Sequence, residues 1–310
     1  MTRMRNTITT FLKLLFLTSI CLLSEYNLVV AQYPGKIFID KNKKQNIDFQ
    51  LVWEDNFDNE GQPNPRNWTY EYGFVRNREL QWYQPQNANC ANGILKIEAR
   101  REKTFNPNFN PLSDNWRLNR ENAVYTSACL ITKDLQEWPP YGYFEIRGKI
   151  DVSQGSWPAI WLLGTENHWP YCGEIDIMEF YRINNVPHVL ANAAWASQYQ
   201  SQASWDDAKI PLSHFMESEP HWTEKFHIWT MYWNKEQISI YLDDELLNEI
   251  ELDKTVNPDG SNPFTSNQKF YLLLNLAIGS NGGDPDQTTF PVKFEVDYVR
   301  IYRQLKATDY

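Results

Sequence analysis

Three carboxylates lie within six residues in the segment from Gly173 to Arg182, which reads Gly-Glu-Ile-Asp-Ile-Met-Glu-Phe-Tyr-Arg. Its isoleucines and phenylalanine favour a β-strand, in which successive side chains point to opposite faces. Glu174 and Asp176 are therefore expected on one face, with the two isoleucines in a core. Glu179 is out of phase with the first two acids. One extra residue at or near Met178, as in a β-bulge, would return Glu179 to their face.

Two glutamates that flank an aspartate in one groove are suited to hydrolysing a glycosidic bond with retention of configuration. One carboxylate attacks the anomeric carbon, and another protonates the leaving oxygen. Such a pair needs carboxyl groups about 5 to 5.5 Å apart, whereas Glu174 and Glu179 are about 13 Å apart along a bulged strand. Extended side chains that lean together on a concave sheet would close most of this gap. Asp176 is expected to hydrogen-bond the nucleophile, to raise the pKa of the acid by its like charge, or both. The alternative interpretation is an edge strand with solvated acids.

The rest of the chain has the pattern of an all-β protein. From Gln50 onward, short apolar or aromatic runs are separated by Asn, Pro and Gly clusters at intervals of about ten residues. No long segment has a helical period, and residues 143–150 and 237–242 alternate cleanly. We predict a curved antiparallel β-sandwich, a jelly roll of the concanavalin-like kind. A single catalytic domain is expected over 47–304, after an N-terminal leader at 32–46 and before a tail at 305–310.

The N-terminus has the features of a secretory signal peptide over residues 1–31. Basic residues precede the apolar run Leu14 to Leu23, and small or compact residues precede a cut after Ala31. The apolar run is too short for a transmembrane helix. We therefore expect an exported protein that is secreted, periplasmic or held at the cell surface. Cys21 raises the alternative of a lipid anchor, although the preceding Ile20 is large for that processing site.

Composition narrows the class of partner. The net charge of -10 and the isoelectric point near 5.1 provide no basic surface for nucleic acid, so a neutral polysaccharide fits better. The 13 tryptophans and 17 tyrosines exceed what a core of this size needs, and the surplus could stack on sugar rings. Cys90, Cys129 and Cys172 allow at most one disulfide, or are small buried residues, and their spacing does not fit a zinc site.

The acidic motif resembles the signature of glycoside hydrolase family 16 in its bulged E-x-D-x-x-E form, which laminarinases, agarases and related endo-glycanases share. Collinear blocks over about residues 47 to 304 extend the resemblance: Leu51 to Phe57, Glu79 to Gln81, Tyr125 to Ala128, Tyr141 to Glu145, Trp157 to Trp161, Leu274 to Gly279 and Val296 to Tyr302. The resemblance implies a monomeric, retaining endo-β-glycanase that needs no cofactor for catalysis. It also implies Glu174 as nucleophile, Glu179 as acid/base and Asp176 in support.

The same resemblance implies residues that contact the glycan. Asn77, Glu79, Trp157 and Trp161 are expected to line the subsites on the glycone side, although Trp161 could instead belong to the core. Trp169 corresponds to an aromatic residue that flanks the cleavage point in the family.

Departures from the laminarinase pattern leave the substrate open. Cys129 stands where an arginine is usual, Trp195 stands where a histidine is usual, and a tryptophan-containing loop is missing near residues 282–287. Few basic residues flank the groove motifs. The first expectation remains β-1,3- or mixed-linkage β-1,3/1,4-glucan. The alternative is an endo-β-galactosidase acting on galactans or galactose-containing host glycans, with Trp195 stacking on a sugar in a positive subsite. A non-catalytic glycan-binding module is a more remote alternative.

Members of the family also carry a structural calcium on the convex face. The corresponding residues here are Asn56 and Asp297. Asn56 lacks the charge of the usual acid, which weakens a site for a hard cation. Asp297 is therefore the predicted metal ligand.

Overall fold

The computed structural model describes residues 35–40, 45–199 and 202–304, with side chains from residue 48 onward. The predicted signal peptide at 1–31, Cys21 and the tail at 305–310 lie outside the described residues. Within the described ranges, no helix has the length and apolar character to cross a bilayer.

Nearly all regular structure in the described chain is β-strand. The strands are, in chain order, β1 (Gly35–Asp40), β2 (Gln45–Asp55), β3 (Thr69–Tyr70), β4 (Gln81–Tyr83), β5 (Ala88–Ala91), β6 (Ile94–Ala99), β7 (Thr104–Phe105), β8 (Asn122–Ala123), β9 (Tyr125–Ser127), β10 (Cys129–Ile131), β11 (Gly142–Ile150), β12 (Ser156–Gly164), β13 (Glu174–Ile183), β14 (Val186–Ala196), β15 (Ala203–Pro211), β16 (His227–Trp233), β17 (Gln237–Leu242), β18 (Glu245–Glu251), β19 (Phe270–Ile278) and β20 (Val292–Gln304). One α-helix, α1 (Leu212–Ser218), and short 3₁₀ turns at Pro85–Asn87, Trp222–Glu224, Leu252–Lys254 and Ser280–Gly282 complete the elements.

Two antiparallel sheets carry most of these strands. The first has nine strands, with β1-β2-β20-β11-β16-β17-β18 as its main order and β5 and β6 joined through β20. The second has seven strands in the order β15-β14-β13-β12-β19-β10-β3. The predicted all-β sandwich of the jelly-roll type is confirmed. The part of the predicted leader that the structure describes pairs as β1 with β2.

The main core lies between the two sheets. It contains Ile146 and Trp229 from the first sheet and Ile160, Ile177 and Leu274 from the second, all of them fully buried. Alternate residues of each strand point into this core. On strand β6, for example, every second residue of Ile94–Ala99 is buried. The hydrophobic effect on these inward faces holds the sheets together.

The central strands of the seven-stranded sheet are buried on both faces. Almost every residue of β12 and β19 is buried. Their second face carries a smaller cluster formed by Tyr83, Cys129, Ala159, Trp161 and Leu273. This cluster, which we call the floor cluster, lies beneath the groove described below. Strands β12 and β19 are therefore more apolar than strands that bury only one face and alternate apolar with polar residues.

Strand β13 carries the irregularity that the phase of its acids requires. Asp176 pairs with Trp161 on β12, and Glu179 pairs with Ala159, so two residues of β13 face one residue of β12. The register between β13 and β14 also shifts by one residue between Asp176 and Glu179. Ile177 and Met178, the two residues of β13 between Asp176 and Glu179, are both fully buried in the main core. The predicted bulge is confirmed.

None of the three described cysteines forms a disulfide. Cys90, Cys129 and Cys172 are free and buried. Of the two possibilities left open by the sequence, they behave as small buried residues.

Deletion of Met178 should keep the three acids on one face, because removing the extra residue restores strict alternation from Glu174 to Glu179. The lost buried side chain should lower the free energy of unfolding by about 2 to 5 kcal/mol, as measured by urea denaturation. Deletion of Ile175 is the matched control: it removes an equally buried residue of β13 but turns one carboxylate into the core, and should prevent folding. An equal loss of stability in the two variants would contradict this role of the bulge.

Candidate active site

The three acids of β13 line one groove on the outer face of the seven-stranded sheet. The groove has a volume of about 890 Å³. Its lining combines acids, tryptophans, amides and basic residues: Arg76, Asn77, Glu79, Arg117, Trp157, Ala159, Trp161, Leu163, Trp169, Glu174, Asp176, Glu179, Tyr181, Asn192, Trp205, Asp207, Lys209, Asn275, Ser280 and Asn281. Every sequence-predicted substrate residue except Trp195 lies in this lining.

Strand β13 begins at a turn that only glycine accommodates easily. Gly173 has a φ of +75°, and a Cβ atom there would lie 2.8 Å from the Cβ of Pro263. Glycine adopts positive φ without the steric cost that other residues incur. Glu174 can therefore follow this turn directly and enter the groove at the first position of the strand.

A tryptophan N–H group holds each glutamate. Trp169 Nε1 donates to Glu174 Oε2 at 2.8 Å, and Trp157 Nε1 donates to Glu179 Oε1 at 2.7 Å. Trp157 is buried, whereas Trp169 is 45% exposed at the groove surface. These bonds fix the direction in which each carboxyl points, since an indole has one donor and no acceptor.

Asn192 joins the other two carboxyls. Its Nδ2 donates to Asp176 Oδ2 at 3.1 Å and to Glu179 Oε2 at 3.2 Å. The residue is only 3% exposed, and its Oδ1 is buried without a hydrogen-bond partner among the described residues. Sequence reasoning missed this residue. The signal was present, because Asn192 is one polar residue in a run of alanines on the strand that follows the acids.

Burial dominates the ionisation of the acids. It raises the pKa of Asp176 to about 7 and, together with the charge of Asp176, the pKa of Glu179 to about 8. Burial also raises the pKa of Glu174 well above its usual value, and the charges of Asp176 and Glu179 add to this effect. The hydrogen bonds from Trp169, Trp157 and Asn192 act in the opposite direction, because they stabilise the ionised forms. The site therefore retains a proton at neutral pH and can act as a general acid.

The segment around Asn77 and Glu79 forms the opposite wall. Glu79 is buried, accepts from Gln81 Nε2 at 2.6 Å and from Asn77 Nδ2 at 3.3 Å, and has a pKa that burial raises. Asn77 and Arg78 adopt positive φ values of +54° and +53°. Arg120 donates to the carbonyls of Glu79 and Arg78, which holds this uncommon backbone conformation in place.

Trp161 belongs to the groove floor and not to the core between the sheets. Its Nε1 donates to Asn275 Oδ1 at 2.7 Å, and its ring lies in the floor cluster. Arg76 stacks on this ring with its guanidinium carbon 4.9 Å from the ring centroid and forms an ion pair with Glu71. The sequence suggested few basic residues near the groove, but Arg76, Arg117 and Lys209 all line it.

The prediction for Trp195 is wrong. Trp195 lies in the same phase of β14 as Ala191 and Ala193, and it packs against the main core. The opposite phase, which includes Asn192, faces the groove. The aromatic residue that lines the groove here is Trp205 on β15, which is 46% exposed.

The predicted calcium ligands do not fit a calcium site. Asp297 is ion-paired with Arg147, and Asn56 Oδ1 accepts a hydrogen bond from Arg300 at 3.2 Å. No group of three or more His, Cys, Asp or Glu residues that could hold a metal occurs within the part of the chain that the structure describes. A hard cation needs several free oxygen ligands, so the calcium expectation is not supported.

Glu179→Gln should stabilise the protein at alkaline pH. The folded pKa of about 8 lies above the usual value of 4.5, so between these pH values the folded state holds a proton that the unfolded state has lost. The free energy of unfolding of the parent therefore falls as pH rises from about 4.5 to about 8, and glutamine removes this fall. Urea denaturation should show a gain at pH 9 and little gain at pH 4.

Glu219→Gln provides the contrasting control. A hydrogen bond from Lys225 lowers the pKa of Glu219 at the protein surface, so this variant should gain no stability at pH 9. An equal gain in the free energy of unfolding for Glu179→Gln at pH 4 and pH 9 would contradict the raised pKa of Glu179.

Comparison with known proteins agrees with this geometry. Residues 82–300 match the family Glycosyl hydrolases family 16. The chain is 32% identical to a β-glucanase of Rhodothermus marinus over 82% of this chain and 85% of that protein. A solved structure from work on endo-acting O-glycanases, which prominent members of the human gut microbiota express to initiate mucin breakdown, superposes with a TM-score of 0.73 at 30% identity, covering 83% of this chain and 91% of the other. The laminarinase catalytic domain from Thermotoga maritima MSB8 superposes with a TM-score of 0.68 at 32% identity, covering 83% and 99%. The chain therefore belongs to glycosyl hydrolases family 16 and is a glycoside hydrolase.

Proposed function

We propose that the protein is a retaining endo-β-glycanase with Glu174 as nucleophile, Glu179 as acid/base and Asp176 as the group that supports the nucleophile. The observation that carries this proposal is the bulge at Ile177 and Met178, which brings all three carboxyls into one groove. The tryptophan N–H bonds add the orientation that a nucleophile and an acid require.

The first step uses the proton that Glu179 holds at neutral pH. Glu179 protonates the glycosidic oxygen while an oxygen of Glu174 attacks the anomeric carbon, so that the carbon–oxygen bond breaks and a covalent glycosyl-enzyme forms. Glu174 must be ionised for this attack. The hydrogen bond from Trp169 stabilises the ionised form of Glu174. Asp176, with its pKa raised to about 7, can take up a proton, which removes a like charge beside the nucleophile and so favours its ionisation.

The second step reverses the role of Glu179. Its carboxylate now accepts a proton from water, and the water oxygen attacks the anomeric carbon and releases Glu174. The hydrogen bonds from Trp157 and Asn192 stabilise the ionised Glu179 that exists between the two steps. Two inversions at one carbon give net retention.

The first substrate candidate is β-1,3- or mixed-linkage β-1,3/1,4-glucan. The relationship to the Rhodothermus marinus β-glucanase and the Thermotoga maritima laminarinase domain supports this choice. We further propose that the protein acts after export, on the basis of the signal-like residues 1–31.

The second candidate is an endo-β-galactosidase acting on galactose-containing host glycans. Similarity to the structure from the O-glycanase work supports a host glycan. The floor cluster supports a change from the laminarinase pattern, because Cys129 takes a position where an arginine was expected and its thiol is fully buried there. Arg76 supplies a guanidinium to the groove from a different segment, so we expect polar contacts with the sugar that differ from the laminarinase pattern.

Substitution of each acid separates the three roles. Glu174→Gln should abolish turnover on every substrate, since no other group can attack. Glu179→Gln should retain the glycosylation step on aryl glycosides whose leaving groups need no protonation. Asp176→Asn should leave more activity than either. Proton NMR should detect a β-configured first product from a β-linked substrate, and an α-configured product would refute retention.

A panel of glycans decides between the substrate candidates. Release of reducing ends from laminarin, mixed-linkage glucan, agarose and poly-N-acetyllactosamine should be measured side by side, with Glu174→Gln as the inactive control. The first candidate predicts release from the two glucans. Release from the two galactose-containing glycans alone would replace it by the second candidate.

A further inference from the structure

We propose that Trp205 on β15 is the stacking platform of a subsite for a neutral sugar residue on the leaving-group side of the cleaved bond. This inference rests on the proposed retaining mechanism. It concerns the edge strand of the seven-stranded sheet, which none of the acidic or collinear sequence blocks includes.

The register of three neighbouring strands aligns this edge with the acids. Glu174 pairs with Ala194, which pairs with Trp205. Asp176 pairs with Asn192, which pairs with Asp207. The side chains of directly paired residues lie on the same face of a sheet, so each of these rows runs outward from the acids along the groove.

The spacing of the rows suits a neighbouring sugar. Adjacent strands are about 4.8 Å apart, so two steps place the backbone of Trp205 about 10 Å from that of Glu174. Ala194, between them, has no side chain beyond Cβ that could block the path. The indole is therefore beyond the sugar that Glu174 attacks but within reach of a sugar joined to it.

The side chain of Trp205 is exposed enough to contact a sugar. It is 46% exposed, whereas Trp157 and Trp161 in the same groove are 6% and 7% exposed. A large aromatic side chain gains most when its apolar face leaves water. Stacking against the apolar C–H face of a pyranose ring would remove the exposed indole face from water.

The neighbours of Trp205 select a neutral sugar. Asp207 and Lys209 follow on the same face of β15, both line the groove, and they form an ion pair. Because each charge neutralises the other, the pair offers a carboxylate acceptor and an ammonium donor for hydroxyl groups without a net charge that would attract an anion. A sulfated or carboxylated sugar would gain nothing from this arrangement.

The position across the sheet defines the side of the bond. The residues that the family resemblance assigns to the glycone lie on the far side of β13 from β15. Trp161 is on β12, and the Asn77–Glu79 segment is held beside β19 because the N–H of Leu80 donates to the carbonyl of Ile278. The leaving-group sugars therefore extend across β14 toward β15.

The test compares two substrates with the same glycone. Trp205→Ala should reduce kcat/KM on the polysaccharide by about 10- to 100-fold, because the polysaccharide reaches this subsite. It should reduce kcat/KM far less on a β-glycosyl fluoride, because a fluoride leaving group is a single atom and does not reach the indole. Trp205→Phe should retain most of the polysaccharide activity, since it preserves a stacking face. Tyr199→Ala is the matched control, because Tyr199 is 74% exposed between β14 and β15 but does not line the groove.

An acceptor assay provides a second measurement on the same variants. With the β-glycosyl fluoride as donor, a neutral oligosaccharide that binds the leaving-group side should accept the glycosyl group from the enzyme, and Trp205→Ala should require about tenfold more acceptor for half-maximal transfer. An equal loss on both substrates, or no change in either assay, would overturn the subsite. A parent enzyme that hydrolyses no polysaccharide would instead overturn the proposed function, and the subsite with it.

Discussion

Three carboxyl groups, one buried and two partly buried, lie close together on one strand, and the rest of the groove has to accommodate them. An ionised carboxylate loses strong hydration when it is buried, and like charges close together add to the penalty. Three neutral donors, Trp169, Trp157 and Asn192, hydrogen-bond the acids and partly offset this penalty. The raised pKa values follow directly from this compromise. A site that must both donate a proton and present a nucleophile needs this kind of environment.

The sheet accommodates the acids through residues on both of its faces. On the core side, Ile177 and Met178 fill the space created by the bulge. On the groove side, Ala159 and Ala194 are the direct strand neighbours of Glu179 and Glu174, and their small side chains leave room for the carboxyls and a sugar. The floor cluster then closes the sheet beneath the substrate. Packing thus continues on both sides of β12 and β13.

The sequence was sufficient for the features that depend on a local period. The phase of Glu174, Asp176 and Glu179 predicted the bulge, and alternation predicted the sandwich, because side-chain direction along one strand is set by a two-residue repeat. Contacts between strands could not be predicted in this way. Trp195 was assigned to the groove because it stands where the family usually has a histidine, and the sequence alone does not say which face of β14 meets the groove. Trp205 was missed because its alignment with Glu174 depends on two strand registers. The pairing of Asp297 with Arg147 joins residues 150 positions apart, and no local pattern reveals it.

The indole donors have a further consequence for the conditions under which the groove keeps its shape. An arginine or lysine in their place would hold the glutamates through charge, and its contribution would weaken with added salt. Trp157 and Trp169 carry no charge and do not titrate. The orientation of Glu174 and Glu179 is therefore independent of the ionic strength of the surroundings and of the protonation of any holding group. The same choice makes the geometry depend on intact indole rings, one of which, Trp169, is 45% exposed, so chemical oxidation of tryptophan would release Glu174 first.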